Sequence, residues 1–320
     1  MSGSGDSPVE EASAGEWNRR PVRERRTWFT VARKDVADAG RSWQLYVLAG
    51  VFTTVMTFGM LEPVLEAMAL GTVDPDYVVQ DGLESATWFV ELIVPLVGLL
   101  LGHVAITSEF ERGSLRTLLA LPISRRDVVL GKLVGRVAVL WVTLAVGLGV
   151  ALVATWLSYE ALDVVTYAGF SVSVLLFGAC FVTMAVGISA ASRTRGRALG
   201  WTMGVFVLIT FLWEILLSLQ QLVTDVSPTV HMGEPNTAPG WYVFLDRAQP
   251  GTALRHVITE WVVPVLPNTT LGETNQEPAL TTNGPEPFYL DEWSMLLVLL
   301  AWGIVPLAVG YWRFRDAEVV

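Results

Sequence analysis

Residues 107–136 read TSEFERGSLRTLLALPISRRDVVLGKLVGR, a charged interruption between two long apolar runs, Trp88 to Ile106 and Val128 to Leu157. A run of about 20 apolar residues matches the hydrocarbon thickness of a bilayer. The interruption is therefore a short loop joining two membrane-spanning helices. Within it Leu115, Leu118, Leu119 and Pro122 recur at helical spacing, with Glu109, Glu111, Arg112 and Arg116 around them. That spacing predicts a short amphipathic helix that stops near Pro122. Ser124 stands three residues before Asp127, close to a capping box with Asp in place of the usual Glu or Gln. A charged helical loop squeezed between two spans is a handle that a partner outside the bilayer can push.

The block pattern repeats outward from this loop. The chain has 320 residues, of which 52% are hydrophobic and 16% charged, more apolar than soluble domains. Spans are expected at about 43–61, 87–107, 128–157, 164–191, 198–222 and 293–312. Pro95 and Pro306 predict bends inside two of them. Residues 1–26 are polar and Gly/Ser-rich with a basic cluster from Arg19 to Arg26, which predicts a disordered tail. They lack the apolar core of a signal peptide, so the first span is expected to act as the insertion signal. Residues 27–42 read as an amphipathic elbow helix lying in the membrane interface, with Phe29, Ala32, Val36 and Ala39 on one face, Trp28 beside them and Asp35 among the charges elsewhere.

Between the spans, residues 62–86 read as an acidic connection carrying Glu62, Glu66, Asp74, Asp76, Asp81 and Glu84 and no Lys or Arg. Residues 223–292 form a long segment rich in Pro, Gly, Asn and Thr. Inside it, 253–266 is apolar enough for a short helix resting on the outer leaflet, and Pro264 and Pro267 deny it a span. Asn268, Thr269 and Thr270 make a glycosylation sequon, a triplet common by chance.

Of the 21 basic residues, all but Arg247 and Arg255 fall on one side of this layout. The positive-inside rule puts that side, both termini and the loop at 107–127 in the cytoplasm. The expected fold is an all-α integral membrane protein: six transmembrane helices, an N-terminal interfacial elbow helix, and cytoplasmic tails at 1–26 and 313–320. The net charge of −10, and Lys34 and Lys132 as the only lysines, suit a halophilic archaeon, although a GC-rich genome explains the arginines equally well.

The residue inventory excludes several chemistries. Gly131 and Lys132 resemble the end of a phosphate-binding loop, but Arg126 stands where its first glycine belongs and no strand precedes it. No ATP site and no cofactor are expected on this chain, and no nucleic-acid partner. Cys180 is the single cysteine, a packing residue, and His103, His231 and His256 are scattered, so no metal site or metalloprotease motif is visible. Glu91 and Glu214 lie within apolar helices, one or two turns from the outer end. Intramembrane carboxylates are costly and point to function, here a substrate path, unless water reaches them at the interface. Gly98 with Gly102, and Gly196, Gly200 and Gly204, are small-x-x-x-small spacings that read as helix packing first and as a dimer seam second.

One ordered pattern goes further. Glu109, Glu111, Gly113, Ser114, Leu115, Leu118, Leu119, Pro122, Ile123, Ser124 and Arg125, followed by Leu130, Gly131 and Lys132, form E-x-E-x-G-S-L-x-x-L-L-x-x-P-I-S-R and then L-G-K. This resembles the cytoplasmic loop of ABC-2 type transporter permeases, and the elbow helix and six-span layout agree. The resemblance runs from about residue 28 to 315 and is specific only around 109–132. It implies a permease subunit that pairs with a second permease, identical or different, within membrane lipid and docks on a separate ABC ATPase subunit, with export as the usual direction. The helix from Glu109 to Leu121 then resembles the family's coupling helix. Glu109, Glu111 and Arg112 would supply polar docking contacts, and Gly113 beside Ser114 would allow close approach. Leu115, Leu118 and Leu119 would bury, and Pro122, Ile123, Ser124 and Arg125 would fix the turn into the third span. The rivals are an ion-coupled secondary transporter, for which no internal repeat is visible, and a non-transporting assembly factor.

Overall fold

The computed structural model describes residues 27–71, 75–111, 124–158, 163–224, 237–258, 281–282 and 284–316. Six helical stretches among them are long and apolar enough to cross a bilayer. The first span is Trp43–Leu70, and the second is Pro75–Gly102 with a continuation at Thr107–Glu111. The third is Arg125–Ser158 and the fourth Val164–Ala191. The fifth runs through Arg195–Val207, a π-helical turn at Leu208–Leu212 and Trp213–Thr224, and the sixth is Glu292–Arg315. Pro95 and Pro306 lie inside the second and sixth spans. Two short helices, Gly240–Arg247 and Pro250–Val257, and a parallel pairing of Thr237–Ala238 with Thr281–Thr282 complete the regular structure of the described residues. The tail at 1–26, the helix expected near 112–122 and the sequon fall outside them.

The chain is thus the all-helical, six-span membrane protein that its sequence predicts. The fourth span is its axis, packing against the sixth, the second and the third, while the third also carries the N-terminal helix Thr27–Ala39 and the first span. Phe170, Phe177 and Phe181 of the fourth span are fully buried beside Val94, Leu140 and Leu144. Phe177 meets Phe181 edge to face with centroids 5.0 Å apart. Lipid tails are as apolar as these side chains, so the gain on assembly is close packing, not escape from water. That puts a premium on close backbone approach. A methyl group at Gly310 of the sixth span would stand on the backbone of Gly187, and one at Gly187 on the carbonyl of Pro306. Gly98 and Gly102 seat the second span on the fourth in the same way, against Phe181 and Ala185. Among the described residues nothing lies within 4 Å of a Cβ added at Gly196, Gly200 or Gly204, so none of them covers that edge of the fifth span.

Two expectations are corrected. The connection read at 62–86 is mostly helix: the first span continues to Leu70 and the second begins at Pro75. Gly71 ends the first helix in the left-handed region, φ 70°, with its N–H on the carbonyl of Ala67. Glu62 and Glu66 lie within this helix, so the loss of hydrophobicity there does not mark its end. The short helix read at 253–266 instead starts at Pro250, and its described part does not rest on a surface. Pro250, Gly251, Ala253, Leu254 and Val257 are buried, and the helix packs on the sixth span.

Gly310→Ala is expected to destabilise the bundle by about 1–3 kcal/mol, the usual cost of overpacking. Gly149→Ala, with nothing within 4 Å, should leave the melting temperature of the solubilised protein unchanged. Equal melting of the two variants would count against the backbone contact.

Candidate functional site

Residues 112–123 lie outside the described residues, and with them Arg112, Gly113, Ser114, Leu115, Leu118, Leu119, Pro122 and Ile123. The two roots of the loop are described, and both are tied down. On the third span, Ser124 and Asp127 close the capping box read from the sequence. Asp127 N–H donates to Ser124 Oγ (3.1 Å), and Ser124 N–H and Oγ–H donate to Asp127 Oδ2 (3.2 and 2.8 Å). Arg125 donates to the carbonyls of Phe314 (2.5 Å) and Arg315 (2.9 Å) at the end of the sixth span. Its guanidinium also lies 5.6 Å from the centre of the Phe314 ring. Arg126 Nε donates to the hydroxyl of Tyr311 (3.0 Å). On the second span, Phe110 packs edge to face on Phe314 with centroids 5.9 Å apart. Glu111 accepts the backbone N–H of Arg195 (2.8 Å) and pairs with its side chain (3.0 Å) at the start of the fifth span.

Glu109 is placed differently from its expected surface position. It is buried, and its Oε1 lies 3.0 Å from Lys132 Nζ. Lys132 also donates to Asp35 Oδ1 of the N-terminal helix (2.9 Å). Arg136, one turn along the third span, donates from Nη2 to the same oxygen (3.2 Å) and brings Nε to 2.8 Å from Oδ2. Two carboxylates and two cations thus form a neutral set in which the Asp35 side chain is 1% exposed. Burial makes each charge expensive alone and tolerable only with its partners.

This set also determines which face of the N-terminal helix meets the bundle. Val31, Ala32, Asp35 and Ala39 are buried, so Ala32 and Ala39 of the expected apolar face turn inward beside Asp35, while Phe29 and Val36 of that face are exposed. Asp35 turns in because Lys132 and Arg136 wait there, and Gly131 and Gly135 clear the space. An added Cβ at Gly131 would meet the Trp28 carbonyl at 2.6 Å, and one at Gly135 the Asp35 Cβ at 2.9 Å. Asp35, Lys132 and Arg136 were not on the sequence-derived list. Their signal was present: one of only two lysines, between two glycines four apart, opposite an acid at helical register with Ala32 and Ala39.

Just above this cluster the second span breaks. Residues 103–106 are turn, and the backbone N–H groups of Ile106 and Thr107 both donate to Ser189 Oγ of the fourth span (3.0 and 3.2 Å). His103 lies in this turn, with its Nδ1 2.9 Å from the Leu100 carbonyl.

At the opposite end the two intramembrane carboxylates separate. Glu91 holds Arg255 of the helix Pro250–Val257 through two hydrogen bonds, 3.0 Å from Nε and 2.6 Å from Nη2. Gln249 Oε1 caps the same helix on Thr252 N–H (2.6 Å), while its Nε2 donates to the Ile209 carbonyl in the π-helical turn (3.2 Å). Glu214 follows that turn. Its charge, after the larger effect of burial, helps push the Asp246 carboxyl up to about 6, against the pull of Arg247 and Arg255. No metal-binding group of His, Cys, Asp and Glu occurs among the described residues.

A model of the ABC-2 family transporter protein matches residues 29–319. The chain is similar to the probable ABC transporter permease protein NosY of Stutzerimonas stutzeri, 28% identical over 193 residues, which are 59% of this chain and 68% of the relative. It is similar in the same degree to the protein of that name from Pseudomonas aeruginosa, 28% over 193 residues, 59% and 69%.

Lys132→Met leaves Asp35 and Glu109 facing each other without their shared cation. It should cost about 3–5 kcal/mol of stability, and Asp35→Asn in the same chain should recover part of it. Additive losses in that double-mutant cycle would show the pair uncoupled. The raised pKa of Asp246 gives a second test. A carboxyl that binds its proton more tightly when folded favours the folded state below its unfolded value of 3.8, and that contribution is lost as pH rises through about 6. Asp246→Asn should therefore flatten the fall in melting temperature between pH 4 and pH 7 and stabilise the protein at pH 7 by on the order of 2 kcal/mol. Parallel melting curves for variant and parent would refute this assignment.

Proposed function

This chain belongs to the ABC-2 family of transporter proteins, and from that premise we propose that it is the membrane permease subunit of an ABC transporter. ATP is hydrolysed by a separate ATPase subunit, and the usual direction of the family makes export the expected one. The observation that carries the coupling role is the tethering of the loop's two roots. A push on residues 112–123 is delivered to the second span through Glu109, Phe110 and Glu111 and to the third through Ser124 and Arg125. Through Lys132 it also reaches the N-terminal helix.

In this reading the helix from Glu109 to Leu121 docks on the ATPase. Glu111 and Arg112 offer charge at its start, Gly113 and Ser114 leave room, and Leu115, Leu118 and Leu119 bury. Pro122 and Ile123 complete the turn. Glu109 serves as a buried root, in keeping with its position on Lys132. The distribution of arginines supports a cytoplasmic face for this end and for both termini. The open glycine edge of the fifth span supports pairing with a second permease subunit in the lipid bilayer. Glu91 and Glu214 stand at the outer end of the pathway. Glu91 enters it only when Arg255 moves away with its helix.

Co-expression with the ATPase encoded beside this chain tests the reading by affinity capture and ATP hydrolysis. Arg112→Glu with Arg116→Glu should weaken capture by about tenfold or more, as expected for loss of an interface hot spot, with the melting temperature unchanged. Full capture by that variant would remove the docking role from the loop. Capture of no ATPase, together with ion-driven solute movement by the chain alone, would replace the reading by a secondary transporter.

A further inference from the structure

We propose that a cavity between the loop-side ends of the second, fourth and sixth spans is a binding site for the phosphate headgroup of an anionic phospholipid. The cavity holds about 410 Å³ and is lined by Phe110, Ser192, Arg193, Trp312, Arg313 and Asp316, with Ala190 and Ala191. Its two cations come from different elements. Arg193 lies in the turn after the fourth span, and Arg313 in the last turn of the sixth.

Three neighbouring arginines at this end are engaged within the protein. Arg125 is held by two carbonyls, Arg126 by Tyr311 and Arg195 by Glu111. Arg193 and Arg313 are both exposed, and neither makes a hydrogen bond or an ion pair among the described residues. Among the described lining residues the one carboxylate, Asp316, is 3.1 Å from Arg315 Nε. Two guanidiniums that line one cavity without an acid of their own among the described residues suit an external anion, and the two non-bridging oxygens of a phosphate diester can accept from both.

Position selects a lipid over a soluble phosphate. The cavity sits where two spans end, so its anion stands at headgroup depth. Trp312, 60% exposed, occupies the level at which tryptophan anchors helices among headgroups. Basic pockets between transmembrane helices on the cytoplasmic side are suited to acidic headgroups. The wall is preformed, because Phe110 packs edge to face on Phe314 and the Phe314 carbonyl is held by Arg125. The inference rests on the orientation proposed above and not on the assignment of the loop to an ATPase.

Native mass spectrometry of the full chain in detergent, titrated with phosphatidylglycerol, phosphatidylcholine or inorganic phosphate, provides the test. Phosphatidylglycerol should be retained one per chain. Arg193→Ala with Arg313→Ala should weaken retention roughly thirtyfold, about fivefold for each charge removed, while lysine at both positions should restore most of it. Phosphatidylcholine and inorganic phosphate should not compete. Several results would overturn the site: equal retention by the double alanine variant, or displacement by inorganic phosphate at the same concentration. Another is undiminished retention together with lost ATPase capture, which would give these arginines to protein docking. ATPase capture by the parent chain, measured in parallel, separates failure of this site from failure of the permease reading.

Discussion

In a bilayer a backbone N–H or carbonyl without a partner costs several kcal/mol, because no water reaches it. This bundle nevertheless interrupts two of its spans, and each interruption sits where a polar side chain from elsewhere can reach it. The break at 103–106 is closed by one hydroxyl, Ser189, which accepts from two N–H groups at once. The π-helical turn at Leu208–Leu212 has the Ile209 carbonyl bound by Gln249 from the outer segment. The indoles of Trp213 and Trp302 take the carbonyls of Leu245 and Ala248, where one short outer helix ends and the next begins. The two short helices are therefore not an appendage. They supply one donor, Gln249, and two carbonyl acceptors, those of Leu245 and Ala248, to groups of the spans, which is why they sink into the bundle.

The same reasoning explains what could be read from residue order. Span number, their approximate limits and the capping box depend on local composition and spacing, and the chain showed them. The fourth span matched residue for residue because Asp163 caps its start, its Oδ2 accepting from Thr166 N–H at 2.8 Å, and an apolar run fills its length. The phase of the N-terminal helix was not legible. An amphipathic reading places every charge outward, whereas Asp35 points inward to cations about a hundred residues away along the chain. The role of Ser189 was hidden for a similar reason. A serine in an apolar helix has a local explanation in its own preceding turn, and only the break in a neighbouring span gives it another. Glu91 was legible as an unusual intramembrane acid, but its partner lies in a segment whose path the sequence does not determine.

Two kinds of contact hold the spans, and they differ in how they yield. The fourth and sixth spans meet backbone to backbone at Gly187, Pro306 and Gly310. Such a contact has a steep repulsive wall and little tolerance for sliding. The N-terminal helix and third span also approach closely at Gly131 and Gly135, but their buried ionic groups add a choice of partners. Lys132 can share its charge between Asp35 and Glu109, which belong to different elements. A shift of the second span that lengthens the contact to Glu109 leaves Lys132 still held by Asp35. The lysine is thus a joint that can loosen on one side without exposing a bare charge.

The second span connects these two regions, and it is interrupted where they meet. Glu109 at its loop-side end and Glu91 near the other end are about 27 Å apart at helical rise. Between them lie the turn at 103–106 and Pro95, both of which remove rigidity from the helix. A displacement at the loop therefore need not arrive at Glu91 as the translation of a rigid rod. The section from 96 to 102 is seated on the fourth span by Gly98 and Gly102, so it resists motion in the direction of packing. Beyond Pro95 the helix is linked to Arg255, whose helix also carries the Gln249 bridge to the fifth span. At this end an ion pair and a π-turn hydrogen bond thus join the second span to the fifth through one short helix, and the Asp246 carboxyl lies within electrostatic reach of Arg255.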